Sequence, residues 1–511
     1  MPSLWSKVSG FGRFARQLQT LVNEPITLDQ ASARIGDGVV RRHERFLAML
    51  TRVVAPNPRS PYRQLMASAG CSVADVATLV ARDGLDEALQ FLARAGVYVS
   101  YDEFKCRKPA VRGSQTFRFT PEDFDDPLVT RYYSARSSGT RGAATRVAID
   151  ADLIADMATY WAVFLAEHDA LTTPLLFWTP SHAGVAARYL ACAKAGQIYS
   201  DWFVSEGMHD LKERTYASSV HRLARRAGRF PKPRTASFDD PGPVLDRLLE
   251  LIADGRRPAV NTAPSAAVKL SLDAQRRGVS LGGVRFLLGS EPLTPARRRS
   301  IEASGATVAP LYGSTEAPWI GGQCRQDTAP DEVHVLLDSY AVVPMDSSLL
   351  FTSLREVLPK VLLNADIGDR AVITRGSCSC RYGRLGCDLR LHTIRSSDKI
   401  TEFGVTFAVQ DVFHVLEETL PRRFGGEAGD YQLVEDRDVD GLPRYTLVVD
   451  PRVSGIDAGD VPQAFLREMA KLERHYGFMA AVWAREKIIT VRREAPVAGS
   501  SGKMLPFYRR G

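Results

Sequence analysis

The run Pro310-Leu-Tyr312-Gly313-Ser314-Thr315-Glu316-Ala-Pro318 closes a predicted strand and gathers an aromatic ring, a glycine, two hydroxyls and a carboxylate into five residues. Each part has a chemical use around a nucleotide. A ring offers a flat face to a base, hydroxyls reach phosphate oxygens, and a carboxylate holds a metal ion. Alone, a turn of this composition is more often only a turn, so its meaning rests on what else the chain carries and in what order.

At 511 residues the chain is too long for one compact core, and two or more domains are expected. Hydrophobic content of 45% and charged content of 24% are those of an ordinary globular protein. The net charge is +7, and of the 66 basic residues 12 are lysine, leaving 66 − 12 = 54 arginines. These are mostly scattered, with denser runs only at Arg214–Arg234, Arg297–Arg299 and Arg509–Arg510, so the charge reads as a solvated surface and no nucleic-acid partner is expected. No apolar run reaches the ~18–20 residues needed to span a bilayer. The N-terminal stretch Met1–Gln19 lacks a continuous apolar core and a small-residue cleavage site, and the expected location is the cytoplasm. Seven cysteines, an odd number, fit a reduced compartment.

Three regions follow from the patterning. Residues 1–130 read as a mostly helical N-terminal region of a large domain, with apolar helical spacing over Ala74–Ala95 that breaks at Gly84. From 131 to 394, short β-rich runs alternate with amphipathic helices. Leu175–Trp178 precedes a helix over Gly184–Ala195, and Val284–Leu288 precedes one over Pro295–Ala303. Such alternation implies an α/β domain whose helix-covered sheets are mainly parallel. Residues 395–511 carry a pattern of their own: helices over Val409–Thr419 and Pro462–Tyr476, and strands over Arg444–Val449 and Lys487–Arg493. This predicts a smaller C-terminal α+β domain.

A second landmark is Ser134-Ala-Arg-Ser137-Ser138-Gly139-Thr140-Arg141-Gly142. Hydroxyls and glycines in so tight a run let N–H and O–H groups converge on phosphate oxygens. The loop lacks the Gly-Lys-Ser/Thr ending of P-loop nucleotidases. Read alone, it is more readily a flexible Ser/Gly linker.

The two stretches, about 175 residues apart and in this order, resemble the adenylate-forming superfamily of acyl-CoA synthetases, luciferases and nonribosomal adenylation domains. Three later stretches extend the resemblance in the family's order. Leu363-Asn-Ala-Asp366-Ile-Gly-Asp369 is similar to the ribose-binding segment, Ile394–Gly404 with Arg395 and Ser397 to the interdomain hinge, and Gly499-Ser-Ser-Gly502-Lys503 to the loop presenting a catalytic lysine. Gly289-Ser-Glu-Pro-Leu293 and Cys378-Ser-Cys380-Arg-Tyr-Gly383 resemble features of the phenylacetate–CoA ligase-like branch. The chain departs from the family pattern at Arg141, where a small hydroxyl is usual, at Ala144 in place of proline, and at Ser397 in the pivot.

The resemblance implies ATP-dependent, AMP-forming activation of a carboxylic acid to an acyl-adenylate, then transfer to a thiol, with CoA expected as co-substrate. An amine, a carrier-protein thiol or another small acceptor is the alternative, and a nucleotide-binding regulatory protein the non-enzymatic one. It also implies site roles. Ser137, Ser138, Gly139, Thr140 and Gly142 would grip phosphates, and Tyr312 with Gly313 and Ser314 would border adenine. Thr315 would bond the α-phosphate and Glu316 would hold Mg²⁺. Asp366 and Arg395 would meet the ribose and its phosphate. Lys503 would neutralise charge building between carboxylate and α-phosphate. Trp178, His182, Asn261, Gly289 and Ser290 are candidates for the acid pocket, core packing being the alternative for the first two. Cys324, His334, Cys378 and Cys380 could close a tetrahedral structural Zn²⁺ site, with Cys387 as a substitute ligand. A homodimer is compatible with all of this.

Overall fold

A computed structural model describes residues 20–21, 23–129, 133–136, 146–180, 183–197, 199–205, 231, 233–238, 240–326, 329–345, 348–355, 357–396, 399–402, 405–437, 443–457, 459–472, 476–485, 488–498 and 504–509. The described residues from 28 to 104 are largely helical. Thr27 and Ser72 open the helices Leu28–Val40 and Val73–Asp83 with reciprocal capping boxes through Gln30 and Asp75. The break falls at Gly84, between Val73–Asp83 and Leu85–Arg94. These helices do not form a core of their own. Phe46, Leu50, Tyr62, Val76 and Leu89 pack in one cluster with Val335, Tyr340, Phe351 and Leu363 from far along the chain. No single helix among the described residues is long and apolar enough to cross a membrane.

The centre is a ten-stranded sheet. Strands Thr307–Tyr312, Arg285–Leu288, Ala259–Thr262, Leu175–Pro180, Tyr199–Ser205 and Arg234–Thr235 run parallel in that spatial order. Beyond Thr307–Tyr312 the sheet continues antiparallel through Gly321–Gly322, Val333–Val335, Leu389–Ser396 and Asp369–Arg375. The parallel expectation thus holds for the strand–helix repeats and gives way where short connections replace crossover helices. Period-2 alternation loads both faces. Leu175, Phe177, Ala259, Leu287 and Ala309 enter one core, while Leu176, Trp178, Val260, Phe286 and Val308 enter another. An antiparallel trio, Tyr340–Met345, Ser348–Ser353 and Ala365–Asp366, stands apart from this sheet.

Residues 407–507 fill a further core by themselves, around Phe413, Leu433, Leu447, Phe465 and Trp483. Their mixed sheet runs Ile489–Arg493, Pro443–Val449, Tyr431–Arg437, Phe507–Arg509. The expected helix over Val409–Thr419 is α-helical to His414 and then a π turn, Val415–Thr419. The expected helix over Pro462–Tyr476 is described as Asp460–Leu472, and Tyr476–Arg485 is helical as well.

Candidate active site and metal centre

The run around Tyr312 sits at the carboxyl end of a parallel strand, next to the position where the sheet turns antiparallel. Strand direction changes there, and a strand end at such a switch point is the usual place for a ligand in open α/β sheets. Tyr312 is half-buried, and its hydroxyl donates to Asp369 Oδ2 at 2.9 Å. The turn closes on itself, with the Ala317 amide donating to Ser314 Oγ at 3.0 Å and the Ser314 amide to the Ala317 carbonyl at 3.0 Å. Gly313 is required by close approach, because a Cβ there would lie 2.7 Å from the Trp319 nitrogen. Thr315 is half-buried, and Glu316 is buried.

Asp366 and Asp369 flank the turn facing this strand end. Asp366 Oδ1 accepts from the Gly368 amide at 2.7 Å, and burial pushes its carboxyl above the ordinary range. Gly368 has φ +89°, and a Cβ there would meet the Tyr101 ring at 2.6 Å. Arg395 lies across from Arg370 in the adjacent strand, its Nη1 donating to Asp331 Oδ2 at 2.5 Å. Asp331 also accepts from the amides of Thr393 and Ile394 at 2.8 and 2.9 Å, so the arginine is held by a carboxylate that its own strand fixes. Tyr312 is thereby joined to the Asp366–Asp369 turn, while the Arg395 guanidinium is engaged by Asp331.

The N-terminal region adds two residues that the sequence reading left without a role. Lys105 Nζ lies 2.5 Å from Glu316 Oε1, with side chains 18% and 7% exposed. Tyr101, four residues earlier, packs on the Gly368 turn, and Lys105 sits 5.8 Å from its ring centroid. The local backbone makes the placement firm, since the Val99 amide donates to the Asn364 carbonyl at 3.1 Å and the Asp366 amide to the Val99 carbonyl at 2.9 Å. Nothing in the sequence pairs Lys105 with an acid 211 residues away.

Other expectations fare differently. Ser137, Ser138, Gly139, Thr140, Gly142, His182 and Lys503 lie outside the described residues, as do Arg141, Ala144 and Ser397. Trp178 is a correction: it is fully buried, its indole N–H donates to the Ala236 carbonyl at 3.1 Å, and it packs with Phe238. Asn261 is paired in register with Phe177, so it points to the opposite face from Trp178, and the two cannot line one pocket on a single face. Its amide is engaged by the Leu287 carbonyl at 3.0 Å and by Arg188 at 3.2 Å. Gly289 and Ser290 do lie at the end of their strand. Gly289 packs closely on Leu311, and Ser290 is exposed with φ +76°.

Cys324, His334, Cys378 and Cys380 come together, their ligand atoms all within 4.8 Å of one another. Cys324 and Cys378 sulfurs are 3.9 Å apart, and Cys380 Sγ is 3.5 Å from His334 Nε2. His334 Nδ1 lies 2.7 Å from the Cys387 carbonyl, a contact that makes Nδ1 the donor and turns Nε2 toward the sulfurs. Hydrogen bonding from Cys324, joined by His334 and the Gly383 amide, pulls the Cys380 thiol down to about 3. Cys387 is not a member of the cluster: it is buried, and burial pushes its thiol up to about 12. Three sulfurs and one correctly oriented imidazole nitrogen are the donor set of a closed zinc site.

The ten-stranded sheet with its antiparallel extension and the separate C-terminal sheet match the fold of adenylate-forming ligase structures. Two solved structures of a 2-hydroxyisobutyryl-CoA ligase in the postadenylation state share it. One, in complex with R3-HIB-AMP, matches with a TM-score of 0.53 at 14% identity, covering 94% of this chain and 90% of that one. The other, in complex with 2-HIB-AMP, matches with a TM-score of 0.53 at 15% identity, covering 95% and 91%. In sequence, the phenylacetate-coenzyme A ligase of Thermus thermophilus is 29% identical over 217 residues, 39% of this chain. That stretch is 46% of the relative, so the chain matches less than half of its length. No protein-family model matches.

Proposed function

We propose that this protein is an AMP-forming acid–thiol ligase. A carboxylate oxygen attacks the α-phosphorus of ATP, the bond to the β-phosphate oxygen breaks, and pyrophosphate leaves with the electron pair. A thiol, CoA in the favoured reading, then attacks the acyl carbon and AMP departs. The observation that carries this reading is the Tyr312–Asp369 hydrogen bond, which ties the Tyr312–Glu316 turn to the Asp366–Asp369 turn in a fold shared over nearly the whole chain with structures in complex with HIB-AMP.

In this reading Tyr312 stacks on adenine, Thr315 bonds the α-phosphate, Asp366 accepts from the ribose hydroxyls and Arg395 offers its remaining N–H groups beside them. Ser137, Ser138, Gly139, Thr140 and Gly142 wrap the phosphates, and Lys503 neutralises charge in the transition state. Mg²⁺, when bound, would screen phosphate charge. The residues fit it as a metal held by one carboxylate and by phosphate oxygens. Glu316 is that carboxylate, with Lys105 as its counter-cation. The Cys324–His334–Cys378–Cys380 cluster would hold a structural Zn²⁺. Its segments are 54 residues apart between Cys324 and Cys378, so a metal there would cross-link the antiparallel extension that carries Arg395.

The test is ATP–pyrophosphate exchange over a panel of aromatic and short hydroxy acids, followed by product mass analysis with CoA, carrier thiols and amines. Exchange dependent on one acid, with a thioester product, is the expected result. Amide products would assign the acceptor to amines instead, and ATP binding without exchange for any acid would favour a regulatory nucleotide-binding protein.

A further inference from the structure

One fully buried charge cluster joins the large unit to the C-terminal unit. Arg297, on the helix Pro295–Glu302, is flanked by two carboxylates. Its Nη1 donates to Glu291 Oε2 at 2.8 Å and its Nε to Glu417 Oε1 at 2.8 Å, with the three side chains 3%, 0% and 1% exposed. Glu417 belongs to the π turn Val415–Thr419 of the C-terminal unit, and Thr294, the N-cap of the arginine's helix, also donates to it at 2.5 Å. The remaining donor, Arg297 Nη2, bonds the Met504 carbonyl at 2.9 Å, while the Met504 amide donates to Glu291 Oε1 at 3.0 Å. Both polar groups of the residue that follows Lys503 are therefore bound by one arginine–glutamate pair of the large unit.

The other anchor of this segment is internal to the C-terminal unit. Buried Gln432 bonds the Val497 carbonyl at 2.9 Å, the Val497 amide at 2.7 Å and the Leu505 carbonyl at 2.8 Å, closing the stem of the loop between them. Gln432 thus anchors this segment from within the C-terminal unit, whereas the Met504 bonds anchor it to the large unit. A buried ion pair suits such a role, because separating it without replacement strands desolvated charge.

We infer that Arg297, clamped between Glu291 and Glu417, is a positioning residue that seats the Lys503 loop against the large unit for adenylate formation. The inference rests on the reading of Lys503 as the adenylation lysine. It implies that the clamp serves the first half-reaction and not the second, for which the acyl-adenylate is already made.

The test compares Arg297→Lys, Arg297→Ala, Glu417→Gln and Lys503→Ala in the full chain. Substrate-free hydrogen exchange read on peptides spanning 497–509 should rise in the Glu417 and Arg297 variants, while the 431–449 strands keep wild-type protection. With the acid that supports exchange, the rate of adenylate formation should fall roughly 10- to 100-fold in Glu417→Gln with little change in KM for ATP. Thioester formation from synthetic acyl-adenylate should stay near wild type, and Arg297→Lys should recover part of what Arg297→Ala loses. Unchanged protection of 497–509, or equal loss in both half-reactions, would overturn the clamp. Lys503→Ala separates the two ideas. If it retains wild-type adenylation, the reading of the lysine fails. If it loses adenylation while Glu417→Gln does not, the clamp alone fails.

Discussion

The Cys/His cluster and the Arg297 cluster both tie together segments distant in sequence, and the contrast between them shows how the molecule divides its labour. The first lies wholly within the large unit, beside the strands that fix Arg395, and its donors are soft sulfurs and an imidazole suited to one permanent ion. The second spans two units, and its bonds are buried ion pairs and backbone contacts.

The widest break of that contrast comes from the residue the clamp seats. Lys503→Ala should reduce adenylate formation by roughly 10²–10³-fold or more while thioester formation from supplied adenylate is retained, as measured by pyrophosphate exchange and by thioester release. Metal removal acts on stability instead. Chelation, or Cys380→Ser, should release about one equivalent of zinc by elemental analysis and lower the melting temperature by several degrees. Protein that carries no stoichiometric zinc would end the metal reading. Lys105→Ala sharpens the comparison at the nucleotide itself. Freed of its cation, Glu316 should bind metal more readily, and half-maximal activation should need roughly 2- to 5-fold less Mg²⁺, an effect of about 0.5–1 kcal/mol. An unchanged magnesium titration would remove Glu316 from the metal's shell.

A further effect concerns stability alone and a charge in neither cluster. Asp126 is pushed up to about 6, chiefly by burial. Because the folded state binds this proton more tightly than the unfolded chain, its contribution is present below the ordinary carboxylate value and is lost as pH rises through about 6. Asp126→Asn should therefore stabilise the protein by about 1–2 kcal/mol at pH 7 and little at pH 4, read by denaturant unfolding at both values.

What could be read in the sequence follows the range of the interaction. The Gly84 break and the capped helices are legible because a helix is governed by neighbours within a turn or two. Cys324, His334, Cys378 and Cys380 could be picked out because ligand chemistry narrows the residue types. The sequence already favoured them over Cys387, and the structure supplies the reason: Cys387 is buried in the core, with its carbonyl meeting the histidine. Trp178 misled because an aromatic at a strand end has the same composition whichever face it takes, and its register sends it into the core. Glu291 lay inside the quoted Gly289–Leu293 run, but its partners, Arg297 and Met504, belong to a helix and to a distant loop.

The sequence by itself determined the order of the motifs, the strand–helix alternation and the chemical kit at Tyr312–Glu316. Residue type and near-neighbour spacing suffice for those. Tertiary structure alone decided that Lys105 neutralises Glu316, that Asp331 holds Arg395, and that Arg297 binds the residue after Lys503. Charges find partners by burial and distance, and neither is written along the chain until the sheet and the two units have brought far segments together.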